Sequence, residues 1–233
     1  MSEVHRREFL QKAAVTGVAV GGATWAVPSI LGFEQAFALG STPPSVTAGG
    51  YVRAAGNASL SVPAPTGTFF VLVVATENVN TANVTASAGW TARGNNGASG
   101  LAPSLFVFTS TSPGTTLVTD ANATNDKFSA EIFGFTGVTS AVLGTFGGST
   151  GTSLSVPGVT TGSLNGEYLL VGTSVASAGG WTTPSGFNAV DYGSQSNTPD
   201  IKSVLYSARA TSVPTTAISH TSAASTGFLI GLS

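Results

Sequence analysis

The side chains best suited to chemistry in this chain are one serine, one histidine and two aspartates. Gly147-Gly148-Ser149-Thr150-Gly151 satisfies Gly-x-Ser-x-Gly, and Asp191 or Asp200 and then His220 follow in the order serine, acid, histidine. In that constellation the imidazole takes the serine's proton while the acid orients the imidazole. The serine must stand on a sharp turn from a strand into a helix, where its hydroxyl is exposed. No helical period follows Gly151; Ser153 to Val156 instead begins an alternating, strand-like run. A hydrolase is therefore the weakest of the functional readings, and Gly147 to Gly151 reads as a Gly/Ser connection. Apart from His5, His220 is the chain's one imidazole, which is too few for a multi-His zinc site. It is expected on the solvent face of a strand.

The carboxylates after residue 39 are Glu77, Asp120, Asp126, Glu131, Glu167, Asp191 and Asp200. Glycoside hydrolysis needs two of them roughly 5 to 10 Å apart across a cleft, and nothing in the spacing selects a pair. Asp120, Asn122, Asn125 and Asp126 concentrate oxygen ligands in one short segment, which suits a hard cation such as Ca²⁺. The segment lacks EF-hand spacing, and Asp/Asn clusters are ordinary turn chemistry, so a plain loop is the expectation. No cofactor is implied. Trp90 and Trp181 are either sugar-stacking platforms or core rings, and their matching positions, described below, favour the core. Tyr51, Phe187 and Tyr192 lie among Gly and Asn and are the better candidates for exposed stacking aromatics.

Composition narrows the class. Only 8% of the 233 residues are charged, against about 25% in an average globular protein. Some 29 Ser and 32 Thr make hydroxyls the dominant polar group, and 30 Gly accompany them. A net charge of −2 offers no electrostatic attraction to nucleic acid. The absence of Cys excludes disulfides, thiolate catalysis and zinc–thiolate sites.

The first forty residues read as an address. His5-Arg6-Arg7-Glu8-Phe9-Leu10-Gln11 resembles the twin-arginine export motif through Arg6, Arg7, Phe9 and Leu10, with His5 and Gln11 departing from its usual form. The uncharged stretch from Ala13 to Phe33 and the small-x-small site at Ala36-Phe37-Ala38 complete a signal-peptide pattern. Gly17, Gly21, Gly22, Gly32 and Pro28 make the stretch too weakly apolar for a good membrane anchor. The resemblance implies a signal peptide over residues 1–38 and a prokaryotic export machinery as partner. It also implies a mature chain over 39–233 that crosses the membrane folded and then resides outside the cell, at its surface or in the periplasm, without embedding in the membrane. Asn57, Asn83 and Asn122 fit the Asn-x-Ser/Thr pattern, which a chain so rich in Ser and Thr produces by chance.

The elements that must position these residues are strands. Short β-branched or aromatic runs lie at residues 68–75, 104–108, 127–135, 167–175, 202–206 and 227–232, each bounded by Gly, Pro, Asn, Ser or Thr. Along 127–135, Phe128, Ala130, Ile132 and Gly134 share one face while Phe133 and Phe135 take the other, so the strand's end is expected to be covered on both sides. An internal repeat is also legible. Ser59-Leu60-Ser61-Val62-Pro63 recurs as Ser153-Leu154-Ser155-Val156-Pro157, Phe70 to Thr76 is answered by Tyr168 to Ser174, and Gly89-Trp90-Thr91 by Gly180-Trp181-Thr182. Ser104 to Phe108 is answered by Ser203 to Tyr206, and Phe133 to Phe135 by Phe228 to Ile230. The expectation is an all-β antiparallel sandwich, jelly-roll-like, whose halves span about 54–146 and 147–233 and combine into one domain.

Gly89-Trp90-Thr91, Ser104 to Phe108 and Phe135-Thr136-Gly137-Val138 carry a further resemblance, to a β-sandwich module of secreted bacterial proteins and of phage tail or virion-associated proteins. Ala88 stands where that module usually has Pro, and Phe135 where it usually has Tyr. The resemblance covers about residues 45 to 233 and implies a fold and a surface or adhesive setting, with no catalytic signature. A non-enzymatic structural or adhesive module is thus the first expectation, acting by self-association or on a surface. A carbohydrate-binding module for cell-wall or environmental glycans is the second.

Overall fold

The computed structural model describes residues 45–77, 84–96, 103–162, 166–174, 181–189, 200–207, 212–220 and 224–233, with backbone alone over 45–58, 122–128, 188–189 and 200–207. The signal-peptide residues Arg6, Arg7, Phe9, Leu10, Ala36 and Ala38, like Tyr192 and Asp191, lie outside the described residues. The described residues form strands and turns with no helix, and every strand pairing is antiparallel.

The first sheet contains β1 (Ser45–Val62), β2 (Phe69–Thr76), β3 (Val84–Ala86), β4 (Thr91–Asn95), β5 (Ser104–Ser110) and β6 (Thr116–Phe135). Its order is β1-β6-β2-β5-β4, with β3 also on β6. The second contains β7 (Ala141–Leu143), β8 (Gly147–Ser149), β11 (Glu167–Ser174), β12 (Asn188–Ala189), β13 (Asp200–Ser207) and β16 (Ser225–Leu232). Its order is β12-β13-β11-β16-β7, with β8 also on β16. Two short ribbons complete the chain: β9 (Ser153–Val156) on β15 (Thr216–Ser219), and β10 (Val159–Thr160) on β14 (Ser212–Val213).

The reason these segments are strands is visible in their burial. β2 reads Phe-Phe-Val-Leu-Val-Val-Ala-Thr and is buried at every position. A near-continuous run of β-branched and aromatic residues is stable only where both faces of the sheet are covered. Successive residues then serve two different cores. Phe69, Val71, Val73 and Ala75 join Phe133 and Phe135 of β6 and Leu105 and Val107 of β5, facing Leu169, Val171, Phe228, Ile230 and Leu232 of the second sheet. Phe70, Leu72 and Val74 turn the other way, where Leu60, Val62, Val84 and Val118 cover them. The second sheet is built likewise, its Tyr168, Leu170 and Leu229 covered by Leu154, Val156, Val159, Val213 and Ile218. Two sheets sharing one core, each with a second covering layer, is an arrangement consistent with a β-sandwich. The strand end at Phe133 and Phe135 is covered on both sides as expected, since Ala130 and Ile132 lie in the opposite cluster.

Two expectations are corrected here. Gly147 to Gly151 is not a free connection: Gly147, Gly148 and Ser149 pair with Gly227, Thr226 and Ser225 of β16. A Cβ at Gly147 would collide with the Ser155 carbonyl, so β8 is glycine because β9 crosses directly against it. Residues 120–126 are not a loop either but the middle of β6, where Asp120 faces Ala58 and Asp126 faces Ala54 across the ladder. The Asp/Asn turn signal loses to long-range pairing with β1, and the surplus residues are absorbed in register shifts between Ala54/Ala55 and Gly56/Ala58.

Candidate functional site

The two tryptophans show how this fold makes and unmakes a site. Gly89, at φ +97°, takes a conformation that costs residues with a Cβ and turns the chain into Trp90. The half-buried Trp90 ring packs on the cluster around Leu72 and Phe106. Its indole Nε1 donates to Thr116 Oγ1 at 3.0 Å. β4 starts at the next residue, with Thr91 opposite Thr109. In the second sheet the corresponding stretch is longer: six residues separate Trp181 from Asn188, which faces Leu205.

Those six residues are tied down at both ends. Thr182 donates its backbone N–H to the Ser219 carbonyl at 2.9 Å. Phe187 N–H donates to the Pro184 carbonyl at 3.1 Å, closing a turn whose third residue, Gly186, has φ +86°, the signature of a type II turn. The turn stands opposite the segment 213–217, and the two line a groove of about 480 Å³. Among the described residues its walls carry Phe187, Pro184 and Pro214, with hydroxyls from Ser185, Thr215 and Thr216, and no charged side chain. Thr216 donates its hydroxyl to the Pro214 carbonyl at 3.1 Å. A volume of this size falls within the range of small-ligand sites.

Trp181 occupies a slot rather than the groove. A Cβ at Gly172 of β11 would meet its six-membered ring at 3.0 Å, so glycine is what lets the indole lie on the sheet. The half-buried ring packs on the cluster around Leu170 and Ile218 and lies 4.6 Å from the His220 imidazole, inclined by 32°. Its Nε1 is buried without a hydrogen-bond partner among the described residues. His220 is a correction to the solvent-face expectation: it is 5% exposed. Its backbone N–H donates to the Thr152 carbonyl at 2.9 Å, and its Nε2 lies 2.9 Å from Ser225 Oγ. The alternation along β15, with Ile218 buried and Ser219 exposed, carries His220 to the inner face.

The triad order therefore resolves into packing. Ser149 is cross-strand partner to Ser225, but Ser225 is the serine bonded to His220, while Ser149 Oγ accepts from the Gly151 N–H at 3.1 Å. Ser225 is fully buried, which leaves a substrate no approach to its hydroxyl. β8 runs through a bend into β9, not into a helix.

A second polar cluster joins the sheets. Asn96, 5% exposed, donates from Nδ2 to the Pro103 carbonyl at 3.2 Å and to Thr226 Oγ1 at 3.1 Å. Its Oδ1 accepts from the Leu105 N–H at 2.5 Å. Thr226 Oγ1 donates in turn to the Pro103 carbonyl at 2.9 Å.

Of the stacking candidates, Phe187 lines the groove and also packs on the core. Tyr51 is placed in β1 opposite Ser129, its side chain outside the described residues. Of the cation candidates, Asp120 is fully buried in β6, facing Ala58 and Val84. The side chains of Asn122, Asn125 and Asp126 lie outside the described residues. Among the described residues no three His, Asp or Glu side chains gather as a metal site, and no helix is long and apolar enough to cross a membrane. Sequence reading missed Pro184, Ser185, Thr215 and Thr216. The available signal was the longer stretch after Trp181, with its Pro-Ser-Gly turn chemistry. No family model, no curated protein and no solved structure matches the chain.

Truncating either ring should be costly. Loss of a fully buried Trp side chain costs about 3–5 kcal/mol; these half-buried rings should cost a large part of that, and Trp90→Ala also strands the buried Thr116 hydroxyl. Trp90→Ala and Trp181→Ala are each expected to lower the melting temperature of residues 39–233 by several degrees at least. The wild-type emission should be blue-shifted and weakly quenched by acrylamide. Free quenching with wild-type melting in both variants would make the rings surface platforms.

Proposed function

We propose that this protein is an exported, non-enzymatic, jelly-roll-like sandwich of two repeated halves that serves outside the cell, at its surface or in the periplasm, as a structural or adhesive module. The observation that carries the reading is the pattern of the covering strands. Leu60 and Val62 are buried while Ser59 and Ser61 are exposed, and Leu154 and Val156 are buried while Ser153 and Ser155 are exposed. Thr85 and Ser219 are exposed as well. Asp120, the one charged residue in the segments 59–62, 84–86, 116–121, 153–156 and 216–219, is buried. Such a face offers hydroxyls without charge, suited to neutral partners. The repeat is supported by equal register: Leu60 faces Val118 and Val62 faces Thr116, as Leu154 faces Ile218 and Val156 faces Thr216.

Export is tested at the motif. Arg6→Lys with Arg7→Lys should leave the protein inside the cell with its N-terminus intact, while exported wild type begins near Leu39 by mass spectrometry. Met1 or Ser2 on exported wild-type protein would overturn the signal-peptide reading. For adhesion, the mature protein should sediment with cell envelopes equally at low and high salt, because uncharged contacts are not screened; release by salt, or no sedimentation, counts against it.

The second reading, a carbohydrate-binding module, is favoured by one observation, the groove beside Phe187. A glycan array probed with residues 39–233 separates it from the first.

A further inference from the structure

We infer that the groove between the turn 184–187 and the segment 213–217 binds a single ring of a neutral saccharide, with the Phe187 face as its stacking platform. The inference deepens the carbohydrate-binding reading and rests on it.

The chemistry of the walls selects this class. A charged ligand would meet no counter-charge among the described residues of the groove and would lose hydration to them without compensation. A wholly apolar ligand would cover the hydroxyls of Ser185 and Thr215 without giving them a partner. A sugar ring satisfies both requirements, presenting a C–H face to an aromatic ring and hydroxyls around its edge. Thr216 already spends its proton on the Pro214 carbonyl at 3.1 Å, so its oxygen is disposed to accept from a sugar hydroxyl. Phe187 is held in place from two directions. The Pro184 carbonyl fixes its backbone at 3.1 Å, and its side chain packs on the core cluster that includes Val213 and Ile218. An anchored ring loses little entropy on binding.

The location points the same way. Trp90 leads straight into β4, whereas six residues stand between Trp181 and β12, and the turn that walls the groove lies within them. Residues beyond what the sheet needs, folded into a fixed turn beside an aromatic ring, are what a scaffold carries when it is fitted with a site.

The test is a titration of residues 39–233 with hexasaccharides of glucose, mannose, galactose and N-acetylglucosamine, with a uronic-acid hexasaccharide as the charged probe, followed by NMR or calorimetry. At least one neutral hexasaccharide is expected to bind and the uronic-acid probe to bind more weakly. Phe187→Ala should weaken binding about tenfold or more. Because that variant also loses core packing, Ala217→Arg, at an exposed position of β15 on the groove wall, is paired with it. It should block binding while melting as wild type does. If a neutral hexasaccharide binds wild type and both variants equally, the groove assignment is overturned and the carbohydrate-binding reading stands. If no neutral hexasaccharide binds wild type, both fall, and the structural or adhesive reading remains.

Discussion

Cutting the chain after Val138 should leave two pieces, 39–138 and 139–233, neither of which folds by itself. The core between the sheets is contributed by both pieces: Phe69, Val71, Val73, Phe133 and Phe135 from one, Leu169, Val171, Phe228, Ile230 and Leu232 from the other. Each of these side chains is at most 4% exposed, and burying one is worth about 1.5–3 kcal/mol. Losing even half of that set is as large as the roughly 5–15 kcal/mol by which a domain is stable. The cut is placed at Val138 because Thr139 and Ser140 donate to the Ser233 carbonyl at 2.8 Å and β7 pairs with β16, so the second piece keeps all its own strands. The intact chain should unfold in urea in one transition, with fluorescence and circular dichroism coincident. Two resolved transitions, or dispersed amide signals from either piece, would show instead that each half is a domain in its own right.

Asn96→Ala should be among the most damaging single substitutions at a polar position. It removes three hydrogen bonds at once and leaves the Leu105 N–H and the Thr226 hydroxyl short of a partner in a buried seam. A buried donor or acceptor left unpaired costs about 1–3 kcal/mol, so a loss of about 3 kcal/mol is expected. For a chain of this size that corresponds to a fall in melting temperature of about 6–12 °C. Thr226→Val keeps the volume and removes one hydroxyl; it should cost less, about 1–2 kcal/mol. The two changes together should cost less than their sum, because they break one network. A variant Asn96→Ala that melts within a degree of wild type would show that water replaces the side chain and that the seam is not what joins the sheets.

The strands were largely legible because each announces itself locally. The runs at 68–75, 104–108, 167–175 and 227–232 nearly coincide with β2 (Phe69–Thr76), β5 (Ser104–Ser110), β11 (Glu167–Ser174) and β16 (Ser225–Leu232). Apolar β-branched and aromatic runs between turn residues carry that signal without help from the rest of the chain. The candidate site was legible only in part. Phe187 stood out as an aromatic among small residues, but its groove partners at 213–217 are some thirty residues away in sequence, and no local pattern joins them. Equally, Asp120 to Asp126 carries turn chemistry yet lies in β6, because β1 supplies a ladder partner for its backbone.

The fold class and the strands are therefore written in the chain itself. The absence of Cys, the scarcity of charge, the excess of hydroxyls and the alternation of apolar residues are properties of the chain alone, and they suffice for an all-β reading. Which serine meets His220, that Gly147 to Ser149 is a strand, and that Asn96 reaches Thr226 across 130 positions are set by long-range packing. The physical reason is that burial and hydrogen bonding between sheets depend on register and crossing, which long-range pairing sets. A glycine such as Gly172 shows this directly: in the sequence it is a weak strand former, and in the fold it is the space that Trp181 fills.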